Sequence, residues 1–377
     1  MSETEKIRGT NLGNWLVLEK WMDPAVFRGV DAEDETWLNR RMDRESLAER
    51  MRRHRETYIT EEDFREIRAA GLNFVRIPVP YFIFGDRKPY IGCIEYLDRA
   101  FSWAEKYGIR VLVDLHTTPG GQNGYDNGSI VGVCRWHRNE EEVEYVLHVL
   151  ERLAEHCRGK RAFFGIEVVN EPVSFPVYLT SPTTGKAESR VEAQGSRFVP
   201  TGFLKDFYVS AYERLRRILK PEQAIVFHDG FRFKPWKRFF RKHRMQNVYL
   251  DTHPYLWAME LFIPFHKPWM HDLYLRLFRL RIRSLQKEIP VLVGEWTICT
   301  HWCTELPENT PKSVLTRRYR RTARAELKTF REAAGWCYWS WKLLPDGRYR
   351  GKERWKEAWD LRKCLENRWM PPHAGRL

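Results

Sequence analysis

The sequence predicts a (β/α)8 barrel of the TIM type, an α/β fold, and three observations carry that expectation. Eight short apolar runs recur along the 377 residues, each followed by turn residues and then by a stretch of helical period. Several of them are continuously apolar over four or more residues rather than alternating, as strands buried on both faces are. Two of them, residues 163–171 (FFGIEVVNE) and 289–295 (IPVLVGE), stop abruptly at a glutamate. A parallel strand that delivers an acid to the rim of a barrel has that pattern.

In order, the runs cover residues 7–13, 73–79, 109–116, 163–171, 223–229, 247–253, 289–295 and 335–341. Between them lie amphipathic stretches. In residues 59–71, Thr60 with Asp63 forms a capping pattern and Gly71 marks a helix stop. Residues 96–108 and 140–159 read in the same way. Strand and helix alternating eight times favours a closed barrel over a doubly wound sheet. Without an internal repeat, the chain is expected to form a single barrel domain over residues 1–377 with extended loops after the strands. Residues 174–202 are polar, aperiodic and longer than an ordinary connection. Following directly on Glu171, this insertion is expected to wall or cover the site.

A hydrophobic share of 43% and a charged share of 30% are those of a globular protein with a sizeable core. The net charge of +14 would suit nucleic acid if the bases were clustered. In residues 234–244, 275–283 and 316–328, however, the bases alternate with apolar residues as on the solvated side of amphipathic helices. No nucleic-acid motif accompanies them and no run of eighteen apolar residues is present, so neither nucleic acid nor a membrane is an expected partner. The oligomeric state is left open. The amino terminus has neither a basic n-region nor an apolar h-region, and seven cysteines follow no framework spacing. A reduced, cytoplasmic protein is expected. Cys299, His301 and Cys303 lie close together in sequence but lack a second ligand pair. No metal and no cofactor are expected.

Strand ends in a barrel converge on one face, so polar residues ending different runs become neighbours there. That set comprises Glu19, Arg76, Asp114, His116, Asn170, Glu171, His253, Tyr255, Glu295 and Trp339. Two carboxylates among them are the minimum equipment for cleaving a glycosidic bond, one protonating the leaving oxygen while the other attacks or activates water. The many aromatic residues suit stacking on sugar rings, although most belong to the core.

Segments spread over the chain, RGTNLGNWLVLEKWMDPAVF (8–27), YITEEDFREIRAAGLNFVRIPV (58–79), VLVDLHTTPGGQNGYDNGS (111–129), VVNEP, VFHDGF, DTHPY (251–255), VLVGEW and GWCYWSWK, strongly resemble glycoside hydrolase family 5. The resemblance is to its exo-β-1,3-glucanase branch, known from yeasts and fungi. It implies a retaining β-glycosidase with Glu171 as general acid and base and Glu295 as nucleophile. It implies further that Arg76 and Tyr255 hold Glu295, that Asn170 meets the sugar 2-hydroxyl, and that His116 and His253 hold ring hydroxyls or orient the acid. Trp339 would be the stacking floor, with Glu19, Asp126 and Asn127 lining the pocket and Tyr125 and Trp257 at its entrance.

The acid is expected in a buried or negatively charged environment that holds its proton, and the nucleophile among cations and donors. Thr117, Thr118, residues 81–90 and the segment after Glu171 depart from the family pattern, on the leaving-group side. The expected activity is that of an exo-acting β-glucosidase or β-1,3-glucanase on short β-linked glucosides. A β-glycosidase releasing glucose or a disaccharide from plant or lipid glycosides is the alternative, and a non-catalytic carbohydrate-binding protein the third reading.

Overall fold

The computed structural model describes residues 6–261, 266–307, 310–349 and 351–371. Met1 to Glu5, part of the amino-terminal stretch read above, lie outside them. Eight parallel strands close into a barrel in sequence order. They are β1 (Ile7–Asn11), β2 (Phe74–Val79), β3 (Arg110–Leu115), β4 (Phe163–Glu167), β5 (Ala224–His228), β6 (Val248–Thr252), β7 (Val291–Val293) and β8 (Gly335–Tyr338). Closure comes from β1 lying against β8, with Ile7 opposite Gly335 and Thr10 opposite Tyr338.

All eight apolar runs are strands, but each strand is shorter than its run. The run from Phe163 leaves the barrel at Glu167, where pairing with β3 ends at Asp114. Glu171 therefore stands on the loop beyond β4, and Glu295 on the loop beyond β7. Apolar residues continue past the ladder because the first turn of each loop is itself packed under the rim: Val168, Val169, Trp296 and Ile298 are all buried.

Two apolar layers hold the barrel. Outward-facing residues such as Val75, Ile77, Val111 and Val113 pack against the surrounding helices in the main cluster. Inside, Ile7, Phe74, Leu112, Phe164, Val226 and Leu292 form a separate plug. Gly165 makes room for the tight β4–β5 approach, since a Cβ there would lie 2.2 Å from the Ala224 carbonyl oxygen.

Local signals account for the helix ends. In Glu61–Ala69 both halves of the Thr60–Asp63 capping box form. Asp63 also accepts hydrogen bonds from Lys342 Nζ at 2.6 and 2.7 Å and from Trp341 Nε1 at 3.0 Å. One carboxylate thus starts a helix and anchors the segment after β8. Gly108, at φ 64°, ends Ile94–Tyr107 in the left-handed conformation that glycine adopts without penalty. Asn139 caps Glu140–Cys157. Within residues 174–202 two short helices form, Phe175–Thr180 and Arg190–Ala193. The segment is tied to the loop after β3 by Arg197 N on the Cys134 carbonyl (2.8 Å) and to Arg40 through Glu192 (2.7 Å).

Candidate active site

Arg76, near the middle of β2, is fully buried above the apolar plug. Its Nε donates to Glu167 Oε2 (2.7 Å), Nη1 to Asn11 Oδ1 (3.0 Å) and Glu295 Oε1 (2.8 Å), and Nη2 to Asn170 Oδ1 (2.8 Å). Asp114 Oδ2 lies 3.0 Å from Nη2 and Asp251 Oδ2 lies 3.8 Å from Nε. A planar fork with five donors serves residues from β1, β3, β4 and the loops beyond β4 and β7 at once, which a lysine cannot do. One cation among four carboxylates leaves negative charge in excess. Burial, with Asp251 and Asp114 adding to it against Arg76, drives the Glu167 carboxyl well above the usual range.

Glu295 is held from both sides, Oε1 by Arg76 and Oε2 by the Tyr255 hydroxyl at 2.8 Å. Burial raises its carboxyl above the usual value, with His253 and Arg76 opposing and the Glu171 charge adding to the rise.

Glu171 has φ 45°, a left-handed backbone that costs a non-glycine residue energy and must be imposed by its surroundings. The preceding Asn170 supplies that constraint: its N–H donates to the Leu115 carbonyl (3.0 Å), and its carbonyl accepts from Gln122 Nε2 (3.0 Å). Glu171 Oε1 lies 2.7 Å from His253 Nδ1, and Oε2 accepts from Asn127 Nδ2 at 3.3 Å. Burial works to raise this carboxyl too, but the hydrogen bond and charge of His253, with His116 and Asn127, outweigh it and hold Glu171 below the usual range. Glu295 lies among a cation and donors as expected, whereas Glu171, though buried, is not in surroundings that raise its pKa. His253 sits directly on the acid, and its hydrogen bond and charge favour the ionised form of Glu171.

His253 explains that balance. Burial opposes its charge, yet Glu295, Asp251 and Glu171 raise its pKa well above the ordinary value. Its Nε2 faces Asp251 Oδ2 at 3.4 Å, while Nδ1 is 2.7 Å from Glu171 Oε1 and 3.5 Å from Glu295 Oε2. Two oxygens at those distances from one nitrogen lie at most about 6 Å apart, below the ~6.5–9.5 Å that leaves room for an attacking water and compatible with the ~5–5.5 Å of a double displacement.

The remaining candidates surround this pair. His116 Nδ1 binds Asp114 Oδ2 at 2.5 Å, its Nε2 lies 3.4 Å from Asn170 Nδ2, and its ring stacks on Trp339 at 5.6 Å. Glu19 accepts from Trp21 Nε1 at 2.8 Å. Burial and then Asp126 raise the Glu19 carboxyl well above its usual range, and burial lifts Asp126 to about 6. Asn127 is fixed by Asn123 at 3.0 Å. Trp257 stacks on His301 (5.5 Å).

Sequence reasoning missed several contributors. Glu167 was hidden inside an apolar run, where an acid at a fully buried strand position was the available signal. Asn11, Gln122 and Asp251 act through Arg76, Asn170 and His253. Trp21 stacks on half-exposed Trp355 (6.3 Å) and packs edge-on to Trp359 (5.3 Å), which in turn meets Tyr255 (5.5 Å). This aromatic group, contributed by distant stretches of chain, has no sequence pattern.

Among the described residues, three sets of side chains could receive a cation: Glu171 with His228 and His253, Glu167 with Asp251 and His253, and His266 with His301 and Glu305. The first two belong to the ion-pair network around Arg76. In the third, His301 turns toward Glu305 (3.0 Å), while Cys299 and Cys303 are buried thiols whose acidity burial suppresses. Carboxylate-pair hydrolysis draws its proton and nucleophile from side chains.

Two carboxylates facing one another across a shared histidine, at the carboxyl ends of a closed eight-stranded barrel, define a glycoside hydrolase. Comparison with known proteins leads to the same class. The profile of the cellulase family (glycosyl hydrolase family 5) matches residues 42–198. A probable glucan 1,3-beta-glucosidase A of Emericella nidulans is 32% identical over 410 residues, covering 97% of this chain and 90% of the relative. A glucan 1,3-beta-glucosidase of Blumeria graminis is 29% identical, covering 98% and 90%. Among solved structures, rutinosidase from Aspergillus niger superimposes with a TM-score of 0.73 at 21% identity, covering 97% of this chain and 98% of that one. The chain belongs to glycosyl hydrolase family 5.

Proposed function

We propose that the protein is a retaining, exo-acting β-glucosidase of the exo-β-1,3-glucanase branch, acting on β-1,3-linked gluco-oligosaccharides and related short β-glucosides. The observation that carries the mechanism is His253 Nδ1 lying within 3.5 Å of an oxygen of each catalytic glutamate. In the first step Glu295 attacks the anomeric carbon and the glycosidic bond breaks, while Glu171 gives a proton to the departing oxygen. His253 Nδ1, 2.7 Å from Glu171 Oε1, is placed to share that proton. When a sugar displaces water, separated charges lose solvation, and the neutral pair of imidazole and carboxylic acid becomes favoured. In the second step Glu171 takes a proton from water, whose oxygen attacks the same carbon and releases Glu295.

The other residues bind and orient. Arg76 and Tyr255 keep Glu295 ionised and aimed. Asn170, its Oδ1 engaged by Arg76, presents its amide nitrogen to the 2-hydroxyl, a contact that strengthens as the oxocarbenium-like transition state forms. Trp339 forms the floor beneath the glucose, and His116, Glu19, Asp126 and Asn127 hold hydroxyls around it. The acidic wall of Glu19 and Asp126 supports exo action, because it lies beyond the innermost sugar and reads a chain end. The glucan 1,3-beta-glucosidases at about 30% identity support the linkage.

The test is a panel of β-linked glucobioses, with a rutinoside and a glucosyl lipid beside them. Fastest release of glucose from the 1,3-linked disaccharide is expected. Preference for the rutinoside, with an intact disaccharide as product, would move the assignment to a diglycosidase.

A further inference from the structure

The helix Pro268–Gln286 is apolar on two opposite faces. One face, with His271, Leu275, Phe278, Ile282 and Leu285, is buried against the barrel. On the other, Trp269 is 63% exposed, Leu273 50%, Leu277 49% and Leu280 54%. At 100° per residue these four fall within an arc of about 80°, a continuous stripe rather than scattered surface residues. The sequence alone read this stretch as a solvated face because its arginines interrupt the apolar pattern.

Charge identifies what the stripe meets. Arg276 borders this arc, about 20° outside it, and Lys287 follows the last turn; neither has a carboxylate partner among the described residues. The nearby acids are taken: Asp272 by Arg321 (2.5 Å) and Glu332 by Arg279 and Arg283 (2.5 and 2.8 Å). On one flank Arg281 lies over the Phe233 ring (5.4 Å) and Glu288 is held by Arg241 (3.2 Å), so the stripe adjoins the basic segment of residues 234–244. A second copy docked on this face would set cations against cations in a chain of net charge +14. An anionic lipid surface accepts both components, the Trp and Leu side chains entering the headgroup boundary while the Arg and Lys heads meet phosphates.

We propose that this helix face is a peripheral docking surface for anionic membranes. No helix among the described residues is long and apolar enough to cross one, so the helix lies on the surface. Because helices of a barrel return antiparallel to the strands, its Trp269 end lies on the side of the catalytic mouth. Docking therefore sets that mouth beside the headgroups.

The full chain is floated with vesicles of phosphatidylcholine alone and of phosphatidylcholine containing phosphatidylglycerol. Binding to the anionic vesicles only, weakened by salt, is expected. Leu273→Glu/Leu277→Glu should lower partitioning at least about tenfold, and Arg276→Gln/Lys287→Gln should reduce it as well. Both variants should keep wild-type hydrolysis of a soluble aryl β-glucoside, which separates this proposal from the catalytic one. The proposal is overturned if neither vesicle binds, if both bind equally and the variants change nothing, or if sedimentation shows a dimer that Leu273→Glu/Leu277→Glu dissociates.

Discussion

At the scale of single residues, the two glutamates differ in what their removal does to stereochemistry. Glu171→Ala should lower kcat/KM by about 10²–10⁴-fold, the range for losing a positioned acid, and Glu295→Ala by at least as much. Azide discriminates their roles. In Glu295→Ala it occupies the vacated nucleophile position and should yield the α-glycosyl azide. In Glu171→Ala it intercepts the glycosyl-enzyme from the opposite face and should yield the β product. The same azide anomer from both variants would show that the roles are misassigned. Arg76→Lys gives up hydrogen bonds to charged acceptors worth about 1.5–3 kcal/mol, hence about a ten- to hundredfold loss in kcat/KM.

Acidity supplies a further prediction at this scale. Catalysis needs Glu295 ionised and one proton on the His253–Glu171 pair. Activity should therefore fall on the acid side as Glu295 takes up a proton, at a pH above the ordinary carboxylate value because its pKa is raised. It should fall on the alkaline side as the pair loses its proton, above the ordinary histidine value because that of His253 is raised. His253→Gln removes a positive charge that lowers the pKa of Glu295, so the acid limb of kcat/KM should move to higher pH. An unmoved limb would remove His253 from this account.

At the scale of elements, the strands and their order were legible because burial on both faces leaves apolar runs between turn residues and helical stretches, and the glutamates ended two such runs. The strand ends were less legible, since apolar residues just past the ladder are buried as deeply as those within it. Glu171 illustrates this, standing on a left-handed turn beyond β4 rather than on the strand. Asp63 is the clearest element-scale test. It was legible only as half of a capping box, yet it also pairs with buried Lys342. Asp63→Ala strips that cation of its partner and should cost about 3–5 kcal/mol in urea unfolding, whereas loss of a cap alone would cost about 1 kcal/mol. Gly13 tests how the loop after β1 supports the sugar floor. A Cβ there would lie 2.8 Å from the Trp339 ring, so Gly13→Ala should tilt the indole and raise KM for glucosides several-fold with the fold intact.

For the whole molecule, the sequence conveyed which residues gather at the mouth but not how charge is shared among them. Glu167, Asp251, Asp114 and Arg76 come from four strands, and their balance exists only after closure places them in one layer. The aromatic group of Trp21, Trp355 and Trp359 likewise exists only when the first and last parts of the chain meet beside β8. The same closure brings Glu171 and Glu295 to a common histidine, and the double displacement depends on that spacing. Proton NMR of the first glucose released from a β-glucoside, recorded before mutarotation, tests this most directly. The account predicts that the β anomer appears first. Initial release of the α anomer would mean a single inverting displacement and would contradict it.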